Sequence, residues 1–167
     1  MAKGFAHLGE GTVLVGVGEI AIAEYPEVLI TQALGSCVGL TLWDPIRRAG
    51  GMAHIMLPTH SDTAMAGNRH RFASSAVPAL VDLLADAGSP KRRLVAKLAG
   101  GAAMFGADMG SASIGARNAA QARLELQQLG IPLRAEDTGG GHARTIELHM
   151  DTGILLVRSY VFGLREI

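Results

Sequence analysis

The stretch CVGLTLWDPIRRAGGMAHIML, residues 37–57, constrains the fold more than any other part of the chain. Two apolar runs of strand length flank Asp44-Pro45 and a pair of glycines, a pattern that folds the second run back on the first. It predicts a strand from Cys37 to Trp43, a hairpin connection over DPIRRAGG and a returning strand through GMAHIML. Upstream, TVLVGVGEIAIAEYP holds one or two short strands, with Ile20 and Ile22 alternating against smaller or polar residues. Glu27–Ala33 is apolar and β-branched and reads as another strand, joined to Cys37 by the turn Leu34-Gly35-Ser36. Together these segments predict an antiparallel meander on short loops. Glycine occupies 22 of 167 positions, against a usual share of about 7%, which suits a chain of many tight turns.

Beyond a polar stretch at 58–68 the period changes. In RHRFASSAVPALVDLLADAG, Val77, Leu80, Val81 and Leu84 follow helical spacing up to a stop at Gly88, with Pro78 an unfavourable residue inside. SIGARNAAQARLELQQLG is a second helix, with Ala119, Ala122, Leu126 and Leu129 on one stripe and Gly130 as its C-terminal stop. RRLVAKLAGG, IPLRAED, RTIELHMD and GILLVRSY read as further strands. In the third of these, Ile146, Leu148 and Met150 alternate with Thr145, Glu147 and His149, as on a half-buried strand. Strands that return by hairpins, with helices inserted later, define an α+β class: mostly antiparallel sheet layers with two long helices, in a single domain over residues 1–167.

Charge excludes some partners. Lys plus Arg and Asp plus Glu each number 15, so no basic surplus favours nucleic acid. A lone cysteine forms no internal disulfide. The segment MAKGFAHLGEGTV lacks the apolar core of a signal peptide, and no apolar run reaches the roughly 18 residues of a membrane span. The expectation is a cytoplasmic protein with no membrane insertion.

Cys37 carries the main chemical question. A free cysteine is commonly a small buried hydrophobe. Here it follows Gly35-Ser36, at a turn that presents its side chain, and His54 lies one strand later inside an apolar run where a buried imidazole needs a partner. A neutral histidine beside a thiol takes its proton, and such pairing lowers a cysteine pKa from about 8.5 to as little as about 3.5. The thiolate attacks an amide or ester carbonyl to give a thioester, with histidine as base and then acid. Thr31, six residues before the cysteine, comes within reach of His54 if adjacent strands pair, and its oxygen then orients the ring. The peptide N–H groups around Gly35, Ser36 and Cys37 form a candidate oxyanion hole.

Five segments occur in one order: ALGSCVGLTLWDP, GGMAHIMLP, KLAGGAAMFG, IGARN, and an Asp-Thr-Gly-Gly turn followed by Arg144. The series, from about Thr31 to Arg158, resembles the chemoreceptor glutamine deamidase family, CheD. The resemblance implies that Cys37 is the nucleophile, His54 its base and Thr31 the third member of a triad. It implies hydrolysis of selected glutamine side chains of methyl-accepting chemotaxis receptors to glutamate, without a cofactor. It also implies a CheC-type phosphatase as a partner. The alternative is a non-catalytic regulatory binding partner of such a phosphatase, with the thiol idle. A receptor helix would need a shallow groove near residues 58–70.

Other candidates carry less. Asp137, His142, His149 and Asp151 match no ordinary zinc spacing, so no metal site is expected. GGGHAR lacks the lysine and the following Ser or Thr of a phosphate loop and reads as a structural turn braced by Arg144.

Overall fold

The computed structural model describes residues 11–59, 67–104 and 113–167. In chain order these form β1 (Thr12–Leu14), β2 (Ile20–Glu24), β3 (Val28–Leu34), β4 (Val38–Asp44), β5 (Ala49–Ile55), α1 (Ala73–Asp86) and β6 (Val95–Gly100). There follow α2 (Ile114–Leu129), β7 (Leu133–Thr138), β8 (Arg144–His149), β9 (Leu155–Ser159) and β10 (Gly163–Glu166). Single 3-10 turns at Arg69–Arg71 and Lys91–Arg93 precede α1 and β6.

The strands divide into two five-stranded sheets, ordered β1-β3-β8-β9-β10 and β2-β5-β4-β6-β7. We call them the outer and the middle sheet. Both are mixed: β1 runs parallel to β3, and β7 parallel to β6, while the remaining pairings are antiparallel. The expected hairpin is present, with β4 and β5 paired from Val38↔Ile55 to Asp44↔Ala49. The expected meander is not. β3 leaves its sequence neighbours and pairs with β1 and β8 in the other sheet, and β2 reaches over to β5.

Side-chain alternation explains the layers. On β4, Val38, Leu40 and Leu42 point to a core shared with α1 and α2. On its other face Cys37 and Trp43 join Leu29, Ile146, Leu148 and Met52 in a second core, between the sheets. β5 divides likewise, with Ala53 and Ile55 toward the helices and Met52 toward the outer sheet. The molecule is therefore layered as helices, middle sheet and outer sheet, the less common three-layer case. Strands buried on both faces read as continuous apolar runs, which is why β4 and β5 show little polar alternation.

The helices match their sequence signals. α1 runs through Pro78 and buries Val77, Leu80, Val81 and Leu84. In α2, Ser113 caps the start by accepting from Ala116 N, and Gly130 ends it at φ 71. Among the described residues, no helix is long and apolar enough to cross a membrane.

Candidate functional site

β3 and β5 face each other across the inter-sheet layer and carry Thr31 and His54, which are 0% and 1% exposed. The Thr31 hydroxyl lies 2.7 Å from His54 Nδ1 and 2.6 Å from the Val15 carbonyl. One proton must serve this chain of atoms. The Val15 carbonyl only accepts, so the Thr31 O–H donates to it, and Thr31 Oγ1 then accepts from His54 Nδ1–H. That count fixes the tautomer and puts the lone pair of the imidazole on Nε2. Nε2 is buried and has no hydrogen-bond partner among the described residues.

Cys37 stands on the same face. Gly39 is directly opposite His54 in the β4–β5 ladder, and Cys37 lies two residues before Gly39, so all three point into the inter-sheet layer. Diagonal neighbours of this kind have Cα atoms about 7–8 Å apart, within reach of longer side chains. Gly39 has no side chain to place here, and the space a Cβ would take is filled by Ile146 and, 3.1 Å away, by Leu34 Cδ1. His54 is enclosed while Cys37 is half-buried at the end of the strand, so any reactant meets the sulfur before the ring.

The charge state departs from expectation. Burial pushes the Cys37 thiol up from its ordinary value and pushes His54 down to about 4. Both effects have one cause, because a low-dielectric setting disfavours whichever form is charged. The resting pair is therefore a neutral thiol and a neutral imidazole. Burial thus disfavours a standing thiolate–imidazolium pair, and Nε2 makes no hydrogen bond to Sγ among the described residues. The arrangement still suits base-assisted attack, since a free imidazole is available to take the sulfur proton as a bond forms.

The turn that holds Cys37 is tied down through its carbonyls. Gly35 O accepts from Ala102 N at 2.9 Å, Ser36 O from Asn118 Nδ2 at 2.9 Å and Cys37 O from Gly101 N at 2.8 Å. Close backbone approach makes this possible. Gly100 has φ 104, and a Cβ on it would collide with the Cys37 carbonyl oxygen. Gly115, at the start of α2, packs on the same loop, where a Cβ would lie 2.6 Å from Gly101 C. Arg144, 3% exposed, braces the far side: its Nε donates to Asp137 at 2.9 Å and its Nη1 reaches Gly100 O at 3.5 Å. The motifs KLAGG, IGARN and the Arg144 turn thus meet behind the cysteine.

Sequence reasoning assigned no role to Asn118 or to the Val15 carbonyl. A backbone carbonyl leaves no trace in a sequence. Asn118 did leave one, because it interrupts the buried stripe of Gly115, Ala119, Ala122 and Leu126 with a polar residue. The expected groove near 58–70 lies partly outside the described residues. A groove of about 570 Å³ on the outer sheet is lined by Ala33, Thr145, Tyr160 and Leu164 among others, and not by Cys37 or His54. Of the residues weighed for metal, Asp137 is held by Arg144 and Arg165 and His149 lies 3.6 Å from Glu147. The described residues contain no group of three or more His, Cys, Asp or Glu placed to hold a metal ion.

A half-buried thiol, an imidazole oriented at Nδ1 and a threonine backed by a carbonyl thus share the inter-sheet layer. The chain belongs to the CheD family. The family described as CheD chemotactic sensory transduction matches residues 56–159. A protein of Moorella thermoacetica named "Probable chemoreceptor glutamine deamidase CheD" is 47% identical over 150 residues, 88% of this chain and 90% of that one. A Geobacter metallireducens protein named as a second CheD of the same kind is 47% identical over 158 residues, 93% and 98% of the two chains. A Caldanaerobacter subterraneus relative is 40% identical over 155 residues, 92% and 96%. The family match begins after His54 and so does not include Thr31, Cys37 or His54.

Proposed function

We propose that this chain hydrolyses glutamine side chains of methyl-accepting chemotaxis receptors to glutamate, in the cytoplasm, through a thioester on Cys37. The relatives' names support the substrate and the reaction. The observation that carries the mechanism is the Thr31–His54 contact of 2.7 Å, which leaves Nε2 buried and, among the described residues, without a partner, on the face shared with Cys37.

In the first half-reaction the Cys37 proton passes to His54 Nε2 while sulfur bonds to the carboxamide carbon. The carbonyl electrons move onto oxygen. Peptide planarity supplies a donor for that oxygen: within a trans peptide, N–H points opposite to C=O. Because Ser36 O points toward Asn118, the Cys37 N–H is directed away from the helix layer. By the same reasoning the Ser36 N–H points away from Ala102, to which the Gly35 carbonyl is bonded. These two groups are the proposed oxyanion hole; the Gly35 N–H, the other expected donor, is instead bonded to the Ala33 carbonyl at 3.0 Å. His54 then gives its proton to the amide nitrogen, the C–N bond breaks and ammonia leaves. In the second half-reaction water adds to the thioester as His54 takes its proton. The C–S bond breaks, the thiol regains its proton and glutamate departs. Thr31 keeps Nδ1–H engaged throughout, and its hydrogen bond strengthens when the ring is cationic.

Mass spectrometry of a receptor cytoplasmic fragment tests the reading. The wild type should convert glutamine to glutamate, and Cys37→Ala should not, while melting at nearly the wild-type temperature because the side chain is small and half-buried. Conversion by Cys37→Ala would end the thioester mechanism. A CheC-type phosphatase as second partner rests on the motif series, and co-purification of the two proteins tests it.

A further inference from the structure

Asn118 lies in the first half of α2 and is 0% exposed. Its Nδ2 donates to Ser36 O and to Met56 O, each at 2.9 Å. Two carbonyl acceptors require the nitrogen end of the carboxamide at this spot, so its orientation is fixed by chemistry. Ser36 immediately precedes Cys37, and Met56 follows His54 by two residues. The β4–β5 ladder ends at Val38↔Ile55. Past that rung, Asn118 bridges the two chains with both of its N–H protons.

The bridge is held from its own side. Ser113 caps α2 by accepting from Ala116 N at 3.1 Å, and Gly115 packs on Gly101, whose N–H returns to Cys37 O. Met56 N donates to Arg71 O at 2.8 Å, so the peptides on both sides of Met56 are anchored.

We infer that Asn118 is a positioning residue that sets the separation and aim of Cys37 Sγ and His54 Nε2. The inference rests on the reading of those two as nucleophile and base. No other side chain does the same work at this size. Aspartate lacks the donors, serine has a single donor, and glutamine is a methylene too long for a packed site.

The test compares wild type, Asn118→Asp and Asn118→Ala with a receptor fragment as substrate, normalising rates to folded protein. Small displacements of reacting groups lower turnover steeply, so kcat per folded protein should fall about 100-fold with KM changing far less, while the melting temperature falls because the Ser36 and Met56 carbonyls lose their donors. Wild-type kcat in either folded variant would overturn the inference and leave the proposed activity intact. Failure of the wild type to deamidate receptors would overturn both. A second measurement needs no variant. In wild-type protein, NMR couplings through hydrogen bonds should link the Asn118 carboxamide nitrogen to the Ser36 and Met56 carbonyl carbons, and their absence would overturn the inference.

Discussion

His54 is an imidazole whose two nitrogens live under different rules. Nδ1 is committed to Thr31, and Nε2 is left with a lone pair in a buried setting. Replacing Thr31 by valine keeps the shape and removes the acceptor, so the ring is no longer held in one tautomer. We expect Thr31→Val to lose about 10- to 100-fold in kcat, in the range of losing a proton-transfer partner's orientation. It should also lose about 1–3 kcal/mol of stability, because Val15 O and Nδ1–H would be buried without partners. Steady-state deamidation and urea unfolding measure the two effects. Type and spacing singled out Cys37, His54 and Thr31 only weakly, and the ordered motif series is what raised them. Their charge states were not legible, because burial opposes ionisation and cannot be read from neighbours in sequence. The threonine's role depended on a sheet-to-sheet contact and not on pairing of adjacent strands.

At the scale of elements, the turn after β6 decides where the sulfur stands. Gly100 is in a left-handed conformation and its missing Cβ is what admits the Cys37 carbonyl. Gly100→Ala should therefore cost about 3 kcal/mol from strain and overpacking together, seen as a lower urea midpoint, and should depress kcat as the turn is pushed outward. The sequence showed paired glycines here and a strand before them, but gave no sign of which turn they would touch. Strands β3, β4 and β5 were visible as apolar runs. Their division between two sheets was hidden, since β4 and β5 are covered on both faces and so carry no period of two. β10 was missed for the opposite reason: Gly163, Leu164, Arg165 and Glu166 are all exposed, leaving no pattern of burial to detect. Both parallel pairings also escaped, because β1 and β7 meet their partners only after excursions through other elements.

For the whole molecule, burial of a neutral histidine makes stability depend on pH in a definite direction. Unfolded histidine gains a proton below about 6.5, whereas folded His54 resists protonation down to about 4. The unfolded chain thus binds more protons in this window. His54's contribution is fully present above pH 6.5 and is lost as pH falls toward 4, by an amount on the order of 3 kcal/mol. Urea midpoints for wild type and His54→Gln, measured from pH 7 to pH 4, should converge on the acid side. Parallel curves would contradict the assignment.

Thr31 belongs to one sheet, while His54, and Cys37 in the bend just before β4, belong with the other, and the Val15 carbonyl lies just beyond β1 on the first. A half-assembled chain can own a thiol and an imidazole yet have nothing to aim the ring. Newly made or partly denatured copies should then be harmless to the many glutamines of other proteins around them. On the proposed mechanism, docking of the two halves is the safety catch on the chemistry.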